Sequence, residues 1–332
     1  MAIKVALVGL GMAVAPHAKS LADLRERVEV AYAFSPSAER RAKFAAQFPL
    51  PLCDRLETIL EDRSVGAVLI LTPPNTHLEL VQRFATAGKH ILLEKPLEIS
   101  TARAERIVQS ASKVKLGIVL QHRFRPAAEK LGEILKSGRL GELVSASAMI
   151  PNWRPQSYYD QPGRGTQARD GGGVLLTQGI HTLDLFLSLA GNVAEVKSFT
   201  TTSRVHKMET EDLAAAAVRF ENGALGVVHA TTAAYPGFPE RIELIGARGT
   251  ALLEGTSLKV NLQDQPTIEF STPSGGGGTG ADPMAFPHDW HRSLLGDFLD
   301  AVELDRQPRV NGEEALKVHR FIDALLDQRD RV

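Results

Sequence analysis

Ile3-Lys-Val-Ala-Leu-Val-Gly-Leu-Gly-Met-Ala-Val-Ala-Pro-His17 decides the fold. Ile3 to Val8 is apolar and rich in β-branched residues apart from Lys4, which is the pattern of a strand buried on both faces of a parallel sheet. Gly9 then allows a tight turn, and Gly11 lets the backbone approach a pyrophosphate held at the N-terminus of the next helix. The third position of this dinucleotide fingerprint holds Val14 where Gly or Ala is usual, so strand and helix are expected to sit slightly further apart. Gly9, Gly11, Met12 and Ala13 are the first candidate cofactor contacts. One Lys, an apolar run and Ala13-Val14-Ala15 also resemble a secretory leader, but the glycines interrupt that run at strand-turn-helix spacing and further α/β elements follow.

Outward from this turn, residues 13–24 read as a helix, 28–34 as a strand, 56–62 as a short helix and 66–71 as a strand. A helix runs to about Gly88 with Asn75 or Thr76 as cap, followed by a strand at 90–94, a helix at 101–113 and a strand at 116–120. Five strands alternating with helices predict a doubly wound parallel sheet whose ligands gather at the carboxyl ends of the strands, where Thr72, Lys95 and Gln121 fall. The second strand ends in Ser35, with Arg40 and Arg41 close behind, where NAD-binding chains place a carboxylate for the ribose. A small hydroxyl beside guanidinium groups suits a 2′-phosphate, so the cofactor is NAD or NADP, with NADP favoured.

Beyond Arg123 the pattern changes. A helix (127–137) and a strand (143–150) lead into a loop at 151–170 rich in Trp, Tyr, Arg and Pro, and Gly171 to Phe186 reads as one helix. Strands follow at 194–203, 212–221, 224–232, 240–246, 250–254, 257–262 and 266–271, with Glu221-Asn-Gly223 and Ala247-Arg-Gly249 as hairpin turns. Strands without intervening helices predict a mostly antiparallel open sheet. The architecture is therefore α/β: a Rossmann domain at residues 1–122 and an α+β substrate and oligomerisation domain at 123–332. Helices at 288–305 and 312–331 close the chain. Met208-Glu-Thr-Glu211 reads as a polar connection, and the glycine-rich run at 274–280 as a flexible loop and candidate lid.

Length favours two domains, since 332 residues exceed one ordinary core. With 38 basic and 39 acidic residues, charge gives no argument for nucleic acid or membrane, and no apolar run approaches a spanning length. The lone Cys53 cannot form an internal disulfide, which fits a reducing, cytoplasmic setting. His288, Trp290 and His291 form no ligand pattern with carboxylates, so no metal is expected.

Five motifs occur in order: Gly9-Leu-Gly11, Thr72-Pro-x-x-x-His77, Glu94-Lys95-Pro96, Gln121-His-Arg-Phe124 and Gly171-Gly-Gly-x-Leu-x-x-Gln-Gly-Ile-His181-x-x-Asp184. Together they make the chain resemble the glucose-fructose oxidoreductase and inositol dehydrogenase family of NAD(P)-dependent sugar oxidoreductases over nearly its whole length. The resemblance implies that Lys95 is the catalytic lysine, aimed by the Pro96 peptide, and that Thr72, Pro73, Asn75, His77, Glu94, Lys95 and Gln121 border the cofactor with Ser35 and Arg40. It further implies that Thr177 and His181 meet substrate hydroxyls. Thr177 stands where the family often has Asp or Asn and cannot itself act as a base, which leaves Lys95 and His181 as the acid-base pair, and Asp184 either orients His181 or caps structure.

The chemistry read from residue types agrees. Oxidation of a secondary alcohol needs a proton acceptor for its hydroxyl while hydride leaves for the nicotinamide, and a lysine beside a cationic ring is lowered towards that role. In the loop before His181, the rings of Trp153 and Tyr158 offer faces to a sugar, while Arg154, Arg164, Arg169 and Asp170, with Arg123, are candidate contacts for a sugar acid or nucleotide sugar. Two other readings are a sensor that kept the fold and lost the chemistry, and a reductase of a non-sugar diol or tetrapyrrole. An open sheet face predicts a homodimer or homotetramer.

Overall fold

The computed structural model describes residues 2–272, 279–282 and 286–327. The candidate lid at 274–280 lies outside these except for Thr279 and Gly280. The described residues form two compact units, one of residues 2–119 with 288–316 and one of residues 120–272, 279–282 and 286–287 with 317–327.

In the first unit the order is β1 (Ile3–Val8), α1 (Val14–Asp23), β2 (Val28–Phe34), α2 (Ala38–Ala45), β3 (Leu52–Cys53), α3 (Leu56–Glu61), β4 (Ala67–Ile70), α4 (His77–Thr86), β5 (His90–Leu93), α5 (Thr101–Ser110) and β6 (Leu116–Ile118). The strands pair in the order β3-β2-β1-β4-β5-β6, all parallel. This is a doubly wound Rossmann sheet whose strand order reverses between β1 and β4. Val5 to Val8, Ala67 to Ile70 and Ile91 to Leu93 are fully buried, as strands covered by helices on both faces require. The sheet has one strand more than the five expected, because β3 is a two-residue edge element with no periodicity to betray it.

In the second unit a 3-10 turn (Gln121–Phe124) leads to α6 (Pro126–Lys136), β7 (Leu143–Pro151), α7 (Gln156–Tyr159), α8 (Gln167–Asp170), α9 (Val174–Thr177) and α10 (Ile180–Ala190). Then come β8 (Val193–Thr201), β9 (Leu213–Phe220), β10 (Leu225–Thr231), β11 (Arg241–Gly246), β12 (Gly249–Glu254), β13 (Ser257–Leu262) and β14 (Ile268–Ser271). They form one eight-stranded sheet, β14-β13-β12-β11-β7-β10-β9-β8. Only β7 and β10 pair in parallel, since the helical excursion between β7 and β8 lets the later strand return alongside in the same sense. The inner face carries Ala146, Ala148, Ile150, Val218, Val228 and Leu244, all buried.

Two expectations are corrected. Gly171 to Phe186 is not one helix: α9 and α10 are separated at Gln178–Gly179, and the segments Gln167–Thr177 and Ile180–Ala190 meet at a 48° bend. The compact units also do not divide at residue 122. The helix α11 (Asp289–Glu303) packs on α1 and β5, and Asn311 bridges Gly117, so residues 288–316 complete the Rossmann unit from the far end of the chain. The final helix, α12 (Gly312–Leu326), begins in the first unit and continues in the second. No single helix among the described residues is long and apolar enough to cross a membrane.

Candidate functional site

At the carboxyl edge of the Rossmann sheet, Gly9 has φ +107°, and a Cβ there would lie 2.9 Å from the Leu71 carbonyl carbon, so only glycine closes this turn without strain. Its N–H donates to the Phe34 carbonyl at 2.9 Å, which joins the ends of β1 and β2. A Cβ on Gly11 would have no heavy atom within 4 Å, and Ala13, the N-cap of α1, offers no side-chain bond to the first turn. Open space in front of an uncapped helix N-terminus fits a dinucleotide diphosphate. Met12 stands exposed at the same turn.

Ser35 is buried at the end of β2, and its carbonyl accepts a 2.6 Å hydrogen bond from Arg41 Nη1. Arg40, the arginine singled out from the sequence, is exposed and uses its backbone N–H to bond the N-cap Ser37 Oγ. The guanidinium fixed at this strand end therefore belongs to Arg41. At the end of β4, Thr76 occupies the N-cap position of α4, but its hydroxyl turns back to Thr72 Oγ1 and the Pro73 carbonyl, each at 2.7 Å. Pro73 and Asn75 are exposed. His77 is fully buried, with Nε2 2.9 Å from the Thr72 carbonyl and Nδ1 3.1 and 3.0 Å from those of Pro96 and Leu97. Burial pushes its pKa down. His77 thus staples the chain after β4 to the chain after β5, and its ring is not open to a cofactor.

Lys95 is half-buried at the end of β5. Its backbone N–H donates to Glu94 Oε2 at 3.1 Å, and Glu94 Oε1 accepts from His17 Nε2 at 2.8 Å. Burial pushes the Glu94 carboxyl up, but the bond and charge of His17 together with the charges of His291 and Lys95 outweigh it, and Glu94 is held below the usual carboxylate range. His291 stands edge-on to His17 with centroids 5.1 Å apart, and burial with the His17 charge lowers its pKa to about 3. Among the described residues His17, Glu94 and His291 form a buried set of metal-ligating types, their ligand atoms within 4.8 Å of one another. The 2.8 Å contact is shorter than the roughly 3.3 Å that separates two ligands across a tetrahedral zinc at ordinary bond lengths, so this is a hydrogen-bonded array. Sequence reading missed it because its members lie far apart in the chain.

In the second unit His181 begins α10, half-buried, its ring stacked on that of His122 with centroids 4.9 Å apart. Thr177 Oγ1 donates to the Gly173 carbonyl at 2.6 Å and contacts Gln178 Oε1. Because the helix breaks after it, Thr177 does not share one helical face with His181. The Asp184 carboxylate, 1% exposed, accepts a two-pronged bond from Arg123 Nε and Nη2 at 2.8 and 2.6 Å. Arg123 is thereby drawn into an ion pair inside its own unit. Gln121, expected beside the cofactor, is buried at the head of the 3-10 turn in this unit.

The loop before α9 is held by its own polar groups. Arg154 is buried and donates to the carbonyls of Trp153, Thr279 and Gly280, which makes it a structural clasp. Arg164 lies 4.2 Å over the Tyr158 ring and donates to its hydroxyl, and Arg169 donates to the Pro162 carbonyl at 3.0 Å. Asp170 accepts from the Gly165 N–H at 2.8 Å, and Trp153 meets Tyr235 edge-on. Glu211, which reads as solvated polar chain in the sequence, is buried and accepts the N–H groups of Gly173 and Leu175 at 3.0 and 3.2 Å. A Cβ on Gly173 would overlap the Glu211 carbonyl oxygen, so the glycine run serves this close approach.

Residues 3–122 match the model of an oxidoreductase family with an NAD-binding Rossmann fold, and residues 128–252 match the GFO/IDH/MocA C-terminal domain. Myo-inositol 2-dehydrogenase of Thermotoga maritima is 30% identical over 94% of this chain and 92% of its own length. Inositol 2-dehydrogenase of Rhizobium meliloti is 26% identical over 98% of this chain and 96% of its own. Among solved structures, the WlbA dehydrogenase of Bordetella pertussis, in complex with NADH and UDP-GlcNAcA, superposes with a TM-score of 0.84 at 25% identity, covering 100% of this chain and 98% of that one.

Proposed function

The chain belongs to the GFO/IDH/MocA family of NAD-binding oxidoreductases, and on that footing we propose that it transfers hydride between a nicotinamide cofactor and a secondary alcohol of a sugar, sugar acid or nucleotide sugar, with Lys95 and His181 as the acid-base pair. The observation that carries this reading is the placement of Lys95 and the Gly9–Gly11 turn on one edge of one parallel sheet. Only β4 separates their strands, so they stand two strand spacings apart, about 10 Å, which a lysine side chain and a bound dinucleotide span together.

The bound nicotinamide supplies the hydride acceptor. Lys95, as the neutral amine, takes the hydroxyl proton as hydride leaves the carbon and becomes an ammonium, and His181 is the other member of the acid-base pair. Thr177 offers its hydroxyl oxygen as an acceptor to a neighbouring substrate hydroxyl. The uncapped turn of α1 holds the diphosphate, and Arg41 beside Ser35 supports a preference for NADP over NAD. The test is reduced-nicotinamide absorbance with a panel of polyols, uronates and diols, run with each dinucleotide. Reduction of NADP by at least one sugar-like alcohol is expected. Tight dinucleotide binding with no reduction across the panel contradicts the reading and favours a sensor.

The outer face of the eight-stranded sheet supports a homo-oligomer. Cross-strand register puts Phe199, Leu225, Val227 and Ile245 on that face, exposed by 74, 55, 53 and 39%, among the small side chains of Ala215, Ala217, Ser145 and Ser147. These exposed apolar side chains, interspersed with Glu195, Lys197, Arg219 and Glu243 on the same face, suit self-association through a two-fold axis. Light scattering is expected to give a multiple of the 36.0 kDa chain mass and to fall to the monomer for Val227→Arg. A monomeric native chain contradicts the assignment.

A further inference from the structure

We propose that His122 is a positioning residue for His181: a neutral imidazole, locked by Arg125 and Glu240, against whose face the His181 ring is stacked. This rests on the reading of His181 as an acid-base group. The two rings lie 4.9 Å apart between centroids and 29° from parallel. His122 is buried, and Arg125 Nη2 stands 2.5 Å from its Nε2. A guanidinium has only donors, so Nε2 accepts, the ring proton sits on Nδ1, and His122 carries no charge.

The lock is itself held. The same Arg125 nitrogen lies 3.1 Å from Glu240 Oε1, and Nη1 donates to the Gly255 carbonyl at 3.4 Å. Arg125 and Glu240 are buried, so the guanidinium has little room to leave. Glu240 stands 3.6 Å from His122 Nε2, beyond hydrogen-bond range, so it acts on His122 through Arg125. Of the elements packed against α10, β7 and α9 carry no titratable side chain, and α6 presents only the exposed Glu129, Lys130, Glu133 and Lys136. Charged groups near the stacked pair include Arg125, Glu240 and the Arg123–Asp184 ion pair.

An uncharged partner matters for proton transfer. A cationic His122 would repel the proton from His181, whereas the face of a neutral ring stabilises an imidazolium beside it. The stack also restricts His181 to one orientation before substrate arrives.

The test compares His122→Phe, which keeps an aromatic face, with His122→Leu, which fills similar space without one. Both remove the acceptor for Arg125, so their difference isolates the ring. His122→Leu is expected to lower kcat about fivefold to tenfold, with KM little changed, and His122→Phe to stay within about twofold of the native enzyme. In the Leu variant the His181 Cε1–H resonance, assigned by its loss in His181→Ala, titrates about half a pH unit lower. Equal behaviour of the two variants, while His181→Ala still removes most of the turnover, overturns the positioning role. If His181→Ala is itself silent, the underlying reading of His181 fails, and this inference with it.

Discussion

Lys95→Ala is expected to lower kcat about 10³-fold at saturating dinucleotide and substrate, while leaving dinucleotide affinity within about threefold. In the proposed mechanism Lys95, at the end of β5, supplies the proton acceptor, whereas the diphosphate would be held by the backbone around Gly9 and Gly11 and by the first turn of α1. Catalysis and cofactor binding should therefore separate. Lys95→Arg is expected to fail nearly as badly, because a guanidinium stays protonated and cannot accept the hydroxyl proton. Steady-state kinetics with dinucleotide fluorescence titration checks both variants. If Lys95→Ala retains more than about a tenth of native kcat, another group takes the proton.

Asp184→Ala should cost about 3–5 kcal/mol of stability, read as a fall in the urea midpoint of the second unit. The carboxylate is 1% exposed and receives both prongs of Arg123, whose side chain is 13% exposed, so its removal takes a two-pronged acceptor from a guanidinium in a poorly hydrated site. The double variant Asp184→Leu with Arg123→Met should recover much of the loss, since an apolar replacement leaves no uncompensated charge. Asp184 lies one helical turn after His181 on α10, so the single variant should also lower kcat by loosening that turn. A midpoint unchanged by Asp184→Ala would show that water, not Asp184, satisfies Arg123.

The Rossmann half was legible in the sequence because its signals are local. β-branched runs, Gly9-x-Gly11 and alternating helices each report on a few consecutive residues, and the sheet order follows from the rules of parallel crossovers. The second sheet was legible as a run of strands, but the parallel pairing of β7 with β10 depends on what the intervening helices do. The break between α9 and α10 was not legible, because Gln178-Gly179 sits inside an otherwise helical pattern and one glycine does not dictate a bend. Of the candidate site residues, Lys95 and His181 are singled out by motif and chemistry. Their supports were not: His17 and Glu94 are 77 positions apart, and Glu211 looked solvated because a polar run between strands usually is. Arg154 shows the reverse error, since an arginine in an aromatic loop reads as a ligand contact until its carbonyl partners are seen.

The account depends most on Lys95 and His181 serving one proton transfer, and a double-mutant cycle in kcat measures that directly. Lys95→Ala, His181→Ala and the double variant are compared at saturating dinucleotide and sugar substrate. Groups that act on the same oxygen are strongly non-additive, so the double variant is predicted to be no more than about threefold slower than the slower single one. Losses that multiply, or full activity in His181→Ala, would contradict it.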